Sequence, residues 1–403
     1  MLKILDRFII VLVPFLLATA TLPQISESIF SPCLPAIAET FSQNMAEVEH
    51  VFTTYLFGYA IGMLCWGSLS DYHGRIKTLR LGLMVYLLGT VLCYQAPNLA
   101  MLLFSRFFQG VGGSACAVLV ITLCRDYFEE KKRAKMMGRL GMAISIGPML
   151  GPLLGSSVLA YLPWHFVYVP LMLFALSILG LTGYVPHIDK SRAVPKLSHY
   201  IEVIKSPMIW RYAFLIGHAC GVGFSFFSEA PFFFIQALEL PAELFSVCFM
   251  VAGLSWYCGG IVSQRMLSSM PTERVMLRGV QFSLAWAAVF CVLVSSISSG
   301  GLLIVMSLLS VFSIMIGLGL VIGNAISLAL EPYAKFSGVA ASILGFIYYM
   351  VTASIAGMMA ELHNGTIYTM PFYWLYIVGM CAVIVYSIQE EETEPKAELG
   401  QLV

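Results

Sequence analysis

FSFFSEAPFFFIQAL, residues 224–238, sets a lone carboxylate, Glu229, among six phenylalanines: Phe224, Phe226 and Phe227 before it, Phe232, Phe233 and Phe234 after. No basic residue in the stretch could pair with its charge. What surrounds such a segment decides the fold, and the rest of the chain answers. Of 403 residues, 59% are hydrophobic and 11% charged, with mean hydropathy +0.86. Soluble domains carry roughly 25% charged and about 45–50% apolar residues. The chain is therefore an integral membrane protein. Its net charge is zero, so the placement of charge is informative and its sum is not. The 10 cysteines are scattered without a C-x-x-C pair, which argues against a disulfide or zinc framework and for small apolar packing residues.

A helix crossing a hydrocarbon core about 30 Å thick needs ~20 mostly apolar residues. That window predicts twelve spans near 8–31, 48–70, 78–96, 99–123, 136–160, 165–184, 209–236, 243–264, 275–297, 301–329, 336–361 and 367–388. The first has Lys3 and Arg7 before it, as a signal peptide would. No small-residue cleavage site follows, so it is expected to stay as a membrane helix. The longest polar stretch separates spans six and seven. The predicted organisation is a six-helix bundle over 1–184, a cytoplasmic linker over 185–208, a second bundle over 209–388 and an acidic tail over 389–403, which reads as a disordered cytoplasmic end. With the N-terminus inside, every Lys and Arg except Arg106 falls on an inside segment, out of 22. Positive charge collecting inside sets orientation, so both termini are expected in the cytoplasm of a bacterial cell.

The halves look like copies. Ser26-Glu27 recurs as Ser228-Glu229, WGSLSD after span two has an echo in GGIVSQ (259–264), and GVG (110–112) answers GLG (317–319). Parallel six-helix repeats with a site between them characterise one class of secondary transporters.

Three motifs carry a resemblance. GSLSDYHGRIK (67–77) follows span two, SRFFQGVGG (105–113) lies in span four and GPMLGPLLG (147–155) in span five. The first resembles the loop signature of the major facilitator superfamily, matching at Gly67, Leu69, Ser70, Asp71, Gly74 and Arg75, with Tyr72 and Ile76 where basic residues are usual. The second is similar to the superfamily's span-four signature through Arg106, Gln109, Gly110 and Gly112. The third resembles the signature of its antiporter branch. SPCLPAIAETF (31–41) and ALEP (329–332) bring the chain nearest the Bcr/CflA-type drug–proton antiporters. The resemblance implies an all-α fold of two six-helix bundles, proton-coupled antiport, and a cytoplasmic latch formed by Gly67, Asp71, Gly74 and Arg75. One departure stands out. That group carries an acidic residue one position after Glu27, where this chain has Ser28, and one position turns a side chain about 100°.

The motifs also have a physical reading. Asp71 can engage the positive N-terminus of a neighbouring helix, Gly74 permits a tight turn, and Arg75 offers a forked donor. Gly147, Gly151 and Gly155, interleaved with Pro148 and Pro152, make a smooth strip for close helix packing, which could seal the two halves on the outer side. From the predicted span ends, Glu27, Arg106 and Glu229 lie roughly 6, 10 and 10 Å below the outer boundary at ~1.5 Å per residue. A charge at a helix centre costs about 2.5–3.5 kcal/mol on insertion, so it normally faces a cavity or a partner. Glu27, Arg106 and Glu229 are then the candidate proton-coupling residues; Glu229 could instead be a neutral acid packed against a helix or a direct binder of a cationic substrate. His218, Ser225 and Glu229 share one helical face, so His218 is either a proton relay towards the cytoplasm or a histidine bonded to a neighbour. The phenylalanines could wall an apolar pocket, though most of the six are expected to meet lipid. Gln109, Ser225, Phe226 and Asn324 are the candidate pocket residues.

No G-x-x-x-x-G-K-[ST] loop is present for an ATP-driven pump, and the seven histidines are too dispersed for a H-E-x-x-H enzyme site. The expectation is therefore a transporter and not an enzyme, driven by the proton gradient, with no other cofactor, no metal site and no nucleic-acid partner. It is expected to act as a monomer in the inner membrane, with the lipid bilayer and a small amphipathic molecule, a drug or a secreted metabolite, as partners. Proton-coupled uptake of a siderophore or peptide, and a channel, remain the alternatives.

Overall fold

The computed structural model describes residues 2–185, 196–297 and 300–400. Lys190 and Arg192 of the predicted linker, and the last three residues of the tail, lie outside them. Among the described residues there are helices and turns and no strand. The helices are α1 (Leu2–Ser28), α2 (Leu34–Phe41), α3 (Met45–His73), α4 (Arg75–Tyr94), α5 (Leu99–Tyr127), α6 (Glu130–Leu159) and α7 (Tyr168–Leu181). They continue as α8 (Leu197–Lys205), α9 (Pro207–Ala230), α10 (Ala242–Leu267), α11 (Thr272–Ser296), α12 (Gly300–Leu330), α13 (Ser337–Leu362) and α14 (Thr369–Gly400). The acidic end thus prolongs the last helix to Gly400, where a disordered tail was expected.

Among the described residues, 11 helical stretches are long and apolar enough to cross a membrane, and each overlaps one of the predicted spans. The predicted span 48–70 is helical within α3 but is not among them. Thr53, Thr54, Tyr55 and Tyr59 dilute it, and the two tyrosines are buried inside the protein. A helix that turns polar groups inward is less apolar overall than one facing lipid on several sides.

Local chemistry explains several helix ends. The Asn44 side chain accepts a hydrogen bond from the Glu47 amide at 2.9 Å, and Asn98 accepts one from Met101 at 2.9 Å, each satisfying a first-turn donor. Gly74 separates α3 from α4 at φ 89 and ψ 149, a conformation essentially reserved for glycine. A Cβ there would meet nothing within 4 Å. Gly74→Ala should therefore cost backbone strain alone, about 1–3 kcal/mol, read as a lower Tm in detergent with unchanged helix content. An unchanged Tm would mean the turn relaxes freely.

The chain forms two compact units, Met1–Val203 with Lys335–Ala353, and Ile204–Ala334 with Ser354–Val403. Inside the first, α3 and α4 both pack on α5, α1 packs on α5 and α7, and α4 on α7. Inside the second the same pairings recur: α10 and α11 on α12, α9 on α12 and α14, and α11 on α14. The matching GVG and GLG triplets sit at these crossings. A Cβ on Gly110 would strike the Tyr55 carbonyl of α3, and one on Gly112 the Tyr86 backbone of α4. Likewise Gly317 is closed in by α11 at Gly279 and Ser283, and Gly319 by α10 at Gly259. Small residues let backbones approach where apolar burial gives no drive.

Candidate functional site

In the first unit the site is built around Arg106, which is 0% exposed. Its Nε donates to the Val51 carbonyl at 3.2 Å, and its Nη1 to the Ser26 carbonyl at 3.2 Å and to Gln109 Oε1 at 2.6 Å. The guanidinium lies between two rings, 4.4 Å from the Phe30 centroid and 4.3 Å from that of Tyr55. Gln109 is in turn tied to Thr90 Oγ1 at 3.0 Å, and Tyr86 to Ser26 Oγ at 2.5 Å. Hydrogen bonds to a charged group contribute about 1.5–3 kcal/mol each, and a desolvated cation–π contact about 2 kcal/mol. Together these suffice to keep the cation in place without a bonded carboxylate.

That leaves Glu27 free for other work. It is 2% exposed, it lies within coulombic range of Arg106, Tyr55 and Tyr59, and its Oε1 has no hydrogen-bond partner. Arg106 Nη2 likewise has none. Ser28 faces elsewhere: its hydroxyl bonds the Gln24 carbonyl at 2.9 Å and lies where a Cβ on Gly151 of α6 would be. The one-residue shift therefore directs the acid of this chain towards Arg106 and leaves a small side chain against α6.

The glycine strip is spent on the same helix. A Cβ on Gly147 would overlap Gln24, on Gly151 Ser28 Oγ, and on Gly155 the Ile29 carbonyl. The strip thus packs α6 on α1 of its own unit, with Pro148 and Pro152 inside the helix. Gly151→Leu should abolish this contact, since the obstructing atoms include the Ile29 backbone, and overpacking costs about 1–3 kcal/mol or more. Loss of monodisperse protein on size exclusion is expected; a normal profile would show that the two helices can part.

At the end of α3, Arg75 Nη2 meets Asp71 Oδ1 at 2.6 Å, its Nε reaches Asp126 Oδ2 of α5 at 3.6 Å, and it also donates to Ser70 Oγ. Gly67 stands 3.6 Å, at Cβ distance, from Ser342. Asp126 had no sequence signal beyond its place at the end of a span.

In the second unit Glu229 is also 2% exposed. Its carboxylate oxygens lie 3.1 and 3.0 Å from Nδ1 of His363, which follows α13, and the imidazole packs 4.8 Å from the Phe232 ring. The hydrogen bond to Glu229 holds the His363 imidazole above its ordinary pKa. His218 is not at this site. Eleven residues earlier on α9, roughly 16 Å along the axis, it bonds the Phe214 carbonyl at 2.7 Å. The one sequence signal for His363 is its position at the outer end of the predicted eleventh span.

The expectation that most of the six phenylalanines meet lipid is wrong. Phe226, Phe227, Phe232, Phe233 and Phe234 are buried, and only Phe224 is partly exposed. After Glu229 the helix widens into a π-helix over Pro231–Ala237, which turns successive rings inward by a different step. Phe226 and Phe227 meet Phe249, Phe233 meets Phe290, and Trp374 joins Phe226 and Phe290. Ser225 accepts the Trp374 indole N–H at 3.0 Å. Asn324 donates to Ser263 Oγ at 2.9 Å and to the Leu320 carbonyl at 2.7 Å, clamping α12 to α10.

The profile of the Major Facilitator Superfamily matches residues 16–360. The chain belongs to this superfamily. An uncharacterized transporter of Rickettsia bellii is 28% identical over 93% of this chain and 95% of that protein. A bicyclomycin resistance protein homolog of Haemophilus influenzae is 25% identical, over 90% and 91% respectively. The xylose transporter XylE of E. coli, in a partially occluded inward open conformation, superimposes with a TM-score of 0.78 at 12% identity, covering 94% of this chain and 98% of that one. The chain is thus a multi-pass membrane transporter with the major facilitator fold.

Proposed function

We propose that this transporter is a proton-coupled antiporter of the bacterial inner membrane that exports small amphipathic molecules by alternating access. The observation that carries the reading is that each unit buries a titratable carboxyl on a membrane helix, Glu27 in the first and Glu229 in the second. Glu27 has an oxygen with no hydrogen-bond partner, and Glu229 is bonded to a histidine that itself gains and loses a proton. A carboxylate buried this way is costly when charged and cheap when neutral. Passage between a wet and a dry setting would then load and release a proton. Likeness to a bicyclomycin resistance homolog and the antiporter-type strip at 147–155 favour export of drugs or a secreted metabolite. Both termini would be cytoplasmic, the monomer would suffice, and the proton gradient would be the energy source. Proteoliposomes with an imposed pH gradient test this: amphipathic cations should move against their own gradient, with proton flux in the opposite direction. Movement with the protons would favour uptake, and flux unaffected by the pH gradient would end the proposal.

A further inference from the structure

The short helix α8 has three faces. Its packed face holds Val203, which is fully buried, His199, stacked on the Phe336 ring at 4.6 Å and 3°, and Tyr200, whose hydroxyl bonds Ser68 at 2.5 Å. At ~100° per residue, Ser198, Glu202 and Lys205 project to a second, polar side. Between them lies an apolar stripe of Leu197, Ile201 and Ile204, confined to about 60° of arc. These three side chains are 75%, 45% and 48% exposed.

We propose that α8 lies flat in the membrane interface, with Leu197, Ile201 and Ile204 inserted among the acyl chains of one leaflet. Chain continuity names the occupant. Lys205 ends α8, and α9, which is apolar enough to span a membrane, begins at Pro207. So short a connection keeps α8 at the level where α9 enters the bilayer. Trp210 in the first turn of α9 is exposed, and its indole N–H bonds the Ile204 carbonyl at 2.8 Å, which ties the end of α8 to that entry point. Tryptophan favours the headgroup level, and Lys196 and Lys205, both exposed at the two ends, can meet lipid phosphates while their stems stay apolar. An in-plane helix with an apolar face and a basic edge is the form such membrane attachment takes. Through Tyr200 and Ser68 the anchored helix also holds the residue next to Gly67, where the gate motif begins.

A fluorescent amino acid placed singly at positions 197, 201, 204, 198 and 202 of the full chain in liposomes tests this without requiring transport. Nitroxide-labelled lipid should quench the first three several-fold more than the last two, and aqueous iodide should do the reverse. Equal quenching at 201 and 202, or iodide quenching of all five, overturns the proposal. Self-quenching at 201 that rises with protein-to-lipid ratio assigns the stripe to a second copy and overturns it as well. Because the readout is positional, it can fail while antiport stands, and the reverse.

Discussion

Glu229→Gln should abolish gradient-driven accumulation of substrate while leaving its binding intact. Glutamine has the shape of the acid and keeps a hydrogen-bond partner for His363, so the fold around Phe232 and Trp374 survives. What it lacks is a proton to release. With one proton exchanged per substrate, each pH unit of gradient is worth about 1.4 kcal/mol, or roughly tenfold accumulation. That factor should fall to about one in the variant, measured in liposomes against the parent. The sign of the accompanying change at His363 follows from its partner. The carboxylate raises the imidazole above its ordinary value, so its removal moves the histidine's titration towards acid, visible by NMR of the ring. Accumulation equal to the parent's would make Glu229 a packing residue and shift coupling to Glu27.

Arg106→Leu should be the most destabilising single change in the first unit. It leaves the carbonyls of Ser26 and Val51 and the Gln109 oxygen without their donor, and it leaves Glu27 without its nearby positive charge. Each buried acceptor left unsatisfied costs about 1–3 kcal/mol. Arg106→Lys keeps the charge but has no planar fork to stack between Phe30 and Tyr55 while reaching three acceptors. The lysine variant should fold, with reduced Tm, and transport poorly. In the double variant Arg106→Leu with Glu27→Gln, stability should recover in part and transport should not. Stability of Arg106→Leu equal to the parent's would show that the cation is dispensable to the fold.

Much of the architecture was legible without coordinates. Hydropathy marks helices by a property each segment carries alone, so each stretch from 78–96 to 367–388 coincides with a helix. The same logic found the candidates. A charged residue in an apolar run is conspicuous, and Glu27, Arg106 and Glu229 are all buried where such a residue must answer for its charge. The stretch 48–70 is less apolar than the others, and its Tyr55 and Tyr59 are buried inside the protein.

Partners were a different matter. His363 lies 134 positions from Glu229, and Phe30, Tyr55 and Ser26 reach Arg106 from other helices. Nothing in a local window encodes which side chains a helix rotation brings together. The phenylalanines show this most clearly, since a π-helical turn redirected rings whose number and order were plain. For this protein the sequence alone determined membrane residence, the helices, the duplication and the family, because these depend on composition and spacing along one chain. Only the tertiary structure decided that Glu27 faces Arg106 while Ser28 faces Gly151, that the glycine strip meets α1, and that Glu229 is bonded to His363. Those facts depend on helix rotation and packing, and these are settled between segments far apart in the chain.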